Sequence, residues 1–124
     1  MAKPGSVIGW TLHTSERTEL LDRFPPRDAN VVAHHVTLAT DAEKGDLPPA
    51  VRAAIVGRTN DGQGVEAMVV TIDGDTARPD GSTFHITWSL GDGRRARESN
   101  DVLKERGWEE FDHPIAIRLT PARI

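Results

Sequence analysis

The chain has no cysteine, which excludes disulfides, thiolate metal sites and a cysteine nucleophile. It has no tyrosine, and only three tryptophans and three phenylalanines in 124 residues. No apolar run approaches the ~20 residues that a membrane-crossing helix needs, and Met1 to Ser6 lacks the apolar stretch of a secretory signal. A basic excess is also missing: 15 Lys and Arg stand against 19 Asp and Glu, a net charge of −4. That balance argues against a surface gripping nucleic acid through many phosphates at once. It leaves room for a small anion held by a few local groups. The expectation is one domain over residues 1–124, soluble and cytoplasmic, long enough to bury a core without covalent staples.

What the chain does have is a repeated strand pattern. Side chains alternate between the two faces of an extended segment. In His35-Val36-Thr37-Leu38 an imidazole and a hydroxyl therefore share one face, and Val36 and Leu38 share the other. Phe84-His85-Ile86-Thr87-Trp88 repeats the arrangement with His85 and Thr87. For either unit alone, threonine and β-branched residues are simply good strand formers. Two copies from five histidines make a shared site the sharper expectation.

Around these units the chain reads as β-α-β-(α)-β-β-α-β. Val7–Leu12 is a strand, and a helix capped by Thr14 or Ser15 runs to about Phe24, stopped by Pro25-Pro26. Val31–Ala39 is the first histidine strand, and Pro48-Pro49 opens a short helix through Ile55. Val65–Ile72 and Thr83–Leu90 form an antiparallel hairpin. A polar helix covers 94–106 with Gly107 as its stop, and Pro114–Leu119 is the last strand. The fold class is α+β: a mixed or antiparallel sheet with helices packed on one side, and a coarse two-fold echo between the halves.

Two H-φ-T-φ units (φ apolar) about fifty residues apart, each on a strand, resemble the 2H phosphoesterase superfamily. In form they are most similar to the 2′,3′-cyclic phosphodiesterase domains of tRNA ligases. The resemblance implies a pseudo-two-fold domain that hydrolyses 2′,3′-cyclic phosphate ends of RNA or a related cyclic nucleotide, without metal or cofactor, leaving a 2′-phosphate. It also implies His35 and His85 as the acid–base pair and Thr37 and Thr87 as phosphate donors. The chemistry suits the residue types, since imidazoles near pKa 6.5 can hold opposite protonation states at neutral pH. The chain is shorter than most members of that superfamily.

Lys44, Ser89 and Trp10 are the candidate substrate contacts: a phosphate contact, a hydroxyl on the face of His85, and a base-stacking ring. Trp88 and Trp108 are expected in the core. His34 is expected to face away from His35, and His13 and His113 to be exposed or capping. Gly91-Asp92-Gly93-Arg94-Arg95-Ala96 matches a dinucleotide fingerprint locally, but without βαβ repeats it reads as a glycine turn before a helix. Arg94, Arg95 and Arg97 read as a solvated face that adds some positive potential. Two rival readings remain: a module that binds RNA ends or nucleotides without turnover, and a structural domain whose two histidine strands lie far apart.

Overall fold

The computed structural model describes residues 7–39 and 47–124. Among these, eight strands and two helices follow the order β1 Ile8–Leu12, α1 Thr14–Arg23, β2 Asn30–Val31, β3 His35–Ala39, β4 Ala53–Asn60, β5 Val65–Ile72, β6 His85–Leu90, α2 Glu98–Arg106, β7 Glu109–Ile117 and β8 Leu119–Arg123. The strands form one curled sheet in the order β7-β4-β5-β6-β3-β1-β8, with β2 beside the end of β6. Every pairing is antiparallel. The architecture is α+β, and no helix among the described residues is long and apolar enough to cross a membrane.

One face of the sheet holds the main core. Trp10, Leu12, Val36, Ile55, Met68, Val70, Ile86 and Trp88 meet there, and α1 closes it with Leu20, Leu21 and Phe24. Fully burying a side chain of this size stabilises the fold by about 1.5–3 kcal/mol. The helix α2 lies on the opposite face, where Ser99 bonds Thr87 and Val102 packs on Val65 and Leu90. The two helices thus flank the sheet instead of sharing the one side expected.

Other departures have local causes. The segment expected as a helix through Ile55 instead ends in the strand β4, between β7 and β5, whose burial alternates strictly from Ala53 to Asn60. A period of two won over the proline start signal. The long strand expected over Val31–Ala39 is broken at residues 32–34, because Ala33 takes a left-handed φ of 43°. A non-glycine residue there is strained, and Arg17 of α1 holds it. Its Nε donates to Ala33 O at 2.8 Å and its NH2 to Val32 O at 3.1 Å. The helix expected from Arg94 begins only at Glu98, because residues 91–97 close as tight turns. Gly107, at φ 67°, stops it as expected. A strand beyond the final one expected, β8, pairs with β1.

In the β1–β3 ladder the register shifts between Ile8 and Gly9. A Cβ on Gly9 would collide with the Val36 carbonyl oxygen, so glycine is required by close approach. Gly9→Ala is expected to lower unfolding free energy in urea by about 1–3 kcal/mol, the range for overpacking. An unchanged urea midpoint would contradict that placement of β1.

Candidate functional site

The two histidine strands meet. Val36 of β3 pairs with Ile86 of β6, antiparallel. The residues flanking that pair, His35 and Thr37 on one strand and His85 and Thr87 on the other, all point to the face away from the main core. They line one cleft of about 230 Å³, together with Arg78, Arg97 and Asn100. The rival arrangement, with the two strands on distant surfaces, is not what the fold adopts.

Each imidazole has a different backing. His85 Nδ1 lies 2.9 Å from Thr83 O. A carbonyl can only accept, so Nδ1 carries the proton and Nε2 of the neutral ring presents a lone pair. His35 Nδ1 instead lies 3.0 Å from His34 Nδ1, and the two rings meet edge to face with centroids 5.2 Å apart. His34 was expected to face away. The left-handed turn at Ala33 breaks the strand alternation immediately before it and swings the exposed His34 ring against His35.

Both imidazoles are harder to protonate than free histidine. Burial is the largest cause for His35, followed by repulsion from His34 and then His85, and its pKa is held down at about 4. Burial also lowers the pKa of His85; the Thr83 carbonyl partly offsets this and the Arg78 charge adds to it. The interaction of His35 with the charge on His85 places the two rings within electrostatic reach of each other.

The hydroxyls differ too. Thr87 Oγ1 lies 2.9 Å from Ser99 Oγ and 3.4 Å from Ala96 O, so the start of α2 orients it. When Ser99 donates to it, the Thr87 proton is available to the cleft in exchange for the long contact to Ala96. Thr37 Oγ1 makes no hydrogen bond within the described residues. Asn100 Nδ2 donates to Arg97 O at 3.4 Å, and its buried Oδ1 has no donor among the described residues.

The three predicted substrate contacts fare differently. Lys44 lies outside the described residues. Ser89 leaves the cleft because of a bulge: Ala67 pairs with Thr87 while the preceding Glu66 pairs with Ser89. The extra residue, Trp88, re-phases the strand. Ser89 Oγ donates to Glu66 Oε1 at 2.7 Å and accepts from Asp28 N at 3.1 Å, with none of its surface exposed. Trp10 is a core residue. It is 2% exposed, packs edge-on against Phe84 and donates from Nε1 to Pro49 O, so it offers no stacking face. Trp88 is core as expected, while Trp108 is only half-buried. His13 sits at the N-cap of α1, its Nε2 3.0 Å from Thr120 Oγ1, and His113 is exposed.

Arg78 was not singled out by sequence. Its side chain is held against Asp80 in the 78–81 turn by bonds of 3.1 and 2.6 Å. A turn-forming Arg-Pro-Asp-Gly run gives no sign that the guanidinium comes within electrostatic reach of His85, seven residues further on. Of the expected arginine face, Arg97 lines the cleft, whereas Arg94 is consumed by Asp61 and Glu98. Comparison of the chain with protein families, with curated proteins and with solved structures returns no match.

The lowered pKa of His35 sets a pH dependence of stability. In the unfolded chain the ring titrates near 6.5, and in the fold at about 4. As pH falls between those values the unfolded state binds the proton first. Stability from this group is therefore complete above about pH 6.5 and lost progressively down to about pH 4. The expected slope is about 1 kcal/mol per pH unit, below the 1.4 limit because the two states differ by less than one whole proton across this window. Urea unfolding from pH 7 to pH 4.5 is expected to show that loss, and His35→Gln to flatten it.

Proposed function

We propose that this protein is a metal-independent phosphoesterase of the 2H type, acting on 2′,3′-cyclic phosphate ends of RNA or on a related cyclic nucleotide. The observation that carries the reading is the shared cleft: the Val36–Ile86 register sets both histidine–threonine pairs around one anion-sized space rimmed by Arg78 and Arg97. Antiparallel pairing at that point relates one motif to the other locally, which supports a pseudo-two-fold reading of the site.

In the proposed reaction the cyclic phosphate sits between the rings. Neutral His85, with its Nε2 lone pair fixed by the Thr83 carbonyl, takes a proton from water as the water oxygen bonds to phosphorus. The bond from phosphorus to the ribose 3′ oxygen breaks, protonated His35 supplies that oxygen with a proton, and a 2′-phosphate results. Thr37 and Thr87 donate to the non-bridging oxygens as charge builds, and the two guanidiniums stabilise the same charge. The phosphodiester anion offsets the burial, and the smaller repulsion from His34 and His85, that lower the His35 pKa. Asn100 Oδ1 offers an acceptor to a ribose hydroxyl.

A second reading, a module that holds RNA ends or nucleotides without turnover, rests on the neutral state of both imidazoles and on the hydroxyl that Thr87 already shares with Ser99.

Incubation with 2′,3′-cyclic AMP and with a short RNA ending in a cyclic phosphate, chelator present, tests the reading. A phosphomonoester product is expected, with His35→Ala and His85→Ala each reducing turnover at least about 100-fold. Thr37→Val and Thr87→Val are each expected to cost about 100-fold as lost donors to the transition state. Binding without product selects the second reading, and full activity in both histidine variants refutes the first.

The pH profile of kcat/KM reports the free protein. His35 must hold a proton that it binds only at about 4, so kcat/KM is expected to peak below pH 6.5 and to fall as pH rises. A profile still rising above pH 7.5 would contradict a protonated histidine as the acid, whichever ring holds the proton.

A further inference from the structure

A second cleft, of about 240 Å³, opens at the other end of α2. Its walls carry three guanidiniums, Arg27, Arg58 and Arg106, two carboxylates, Glu66 and Glu109, and the indole of Trp108. Nothing in the reaction proposed above uses these groups.

The charges in this cleft are unequally matched. Arg106 has no ion-pair partner among the described residues. Arg58 lies over the Phe111 ring at 6.0 Å, a contact that leaves its charge uncancelled. Glu66 is only 2% exposed, and its Oε1 already accepts from Arg27 N at 3.0 Å and Ser89 Oγ at 2.7 Å. Its Oε2 reaches Arg27 Nε only at 3.8 Å, too far for a hydrogen bond. With Arg27 beside Glu66 and Glu109 opposite Arg58 across the β4–β7 ladder, the cleft has a surplus of one cation, and Glu66 Oε2 takes no hydrogen bond from the described residues.

Trp108 gives the third element. A Cβ at Gly57 would lie 2.6 Å from its Cε3, so the indole rests on strand β4 where only glycine leaves room. The ring is half-buried and lines the cleft. Trp10 and Trp88, at 2% and 0% exposed, are sealed in the core. An aromatic platform beside unpaired guanidiniums is the combination that holds single-stranded nucleotides: the ring stacks a base and the arginines take phosphate. Glu66 Oε2 then accepts a base N–H.

The geometry points to this cleft as a subsite for an unpaired RNA nucleotide upstream of the end held between His35 and His85. This rests on the proposed reaction for the identity of that end. Asn100 lines the first cleft and Arg106 the second; six residues separate them, a rise of about 9 Å together with a turn of about 240° around the axis of α2. A path that both climbs and rounds the helix suits an oligonucleotide and exceeds a cyclic mononucleotide.

Tryptophan fluorescence tests the subsite directly, since Trp108 is the indole a ligand can reach. Titration with the RNA pentamer AAAAA is expected to quench emission saturably, and AMP to quench at least tenfold more weakly. Arg58→Ala and Arg106→Ala are each expected to weaken the pentamer about tenfold, the cost of one charge-assisted contact, and Trp108→Phe to remove the quench. His35→Ala and His85→Ala are expected to leave the quench in place. No quench at saturating pentamer, or a quench indifferent to both arginine changes, overturns the subsite. Equal affinity for AMP and the pentamer overturns its assignment to an upstream nucleotide. Quenching without turnover of any cyclic phosphate leaves the subsite standing and removes the reaction; turnover without quenching does the reverse.

Discussion

The pairing of Val36 with Ile86 is the constraint on which the rest depends. Both side chains are fully buried in the core, so the apolar face of β3 and β6 cannot slip by one residue without burying imidazoles and exposing aliphatics. The energy that holds the register is thus hydrophobic and lies on one face. The polar group positions that follow from it lie on the other. Four chemically active side chains are placed by packing that none of them takes part in, which is how a rigid scaffold gives a site its precision.

The two helices reinforce this from opposite sides. From the core face, α1 sends Arg17 to the carbonyls of Val32 and Ala33 and so stabilises the strained turn that brings His34 against His35. From the polar face, α2 orients Thr87 through Ser99 and places Arg97 and Asn100 beside it. Its other end borders the arginine- and tryptophan-lined cleft. A sheet with both helices on one side would leave one of these tasks undone.

The strand content of the site was legible because a period of two over four residues needs no tertiary information. His35, Thr37, His85 and Thr87 announced a shared face, and the β5–β6 hairpin followed from the turn residues between two β-branched runs. What stayed hidden depended on single irregularities. The bulge at Trp88 turns Ser89 toward Glu66, and the left-handed Ala33 turns His34 toward His35. Neither residue type signals a break in alternation. Trp10 offered a platform by residue type alone, but its neighbours Val36 and Phe84 claim both the ring and the space around it. Arg78 was invisible for a different reason, since its place beside His85 comes from a turn and not from a pattern.

The unlike backing of the two histidines has a consequence of its own. Behind His85 stands a carbonyl, which accepts and never donates; behind His35 stands another imidazole, which does either. The two histidine–threonine pairs lie on either side of the Val36–Ile86 pair, and the groups behind them make the two sides unlike. One ring is held in a single tautomer by a carbonyl, while the other faces an exposed imidazole that can either donate or accept. Under the proposed reaction, the ring that has to gain a proton is the one whose partner reaches solvent, and the ring that has to accept one is held with its lone pair toward the cleft.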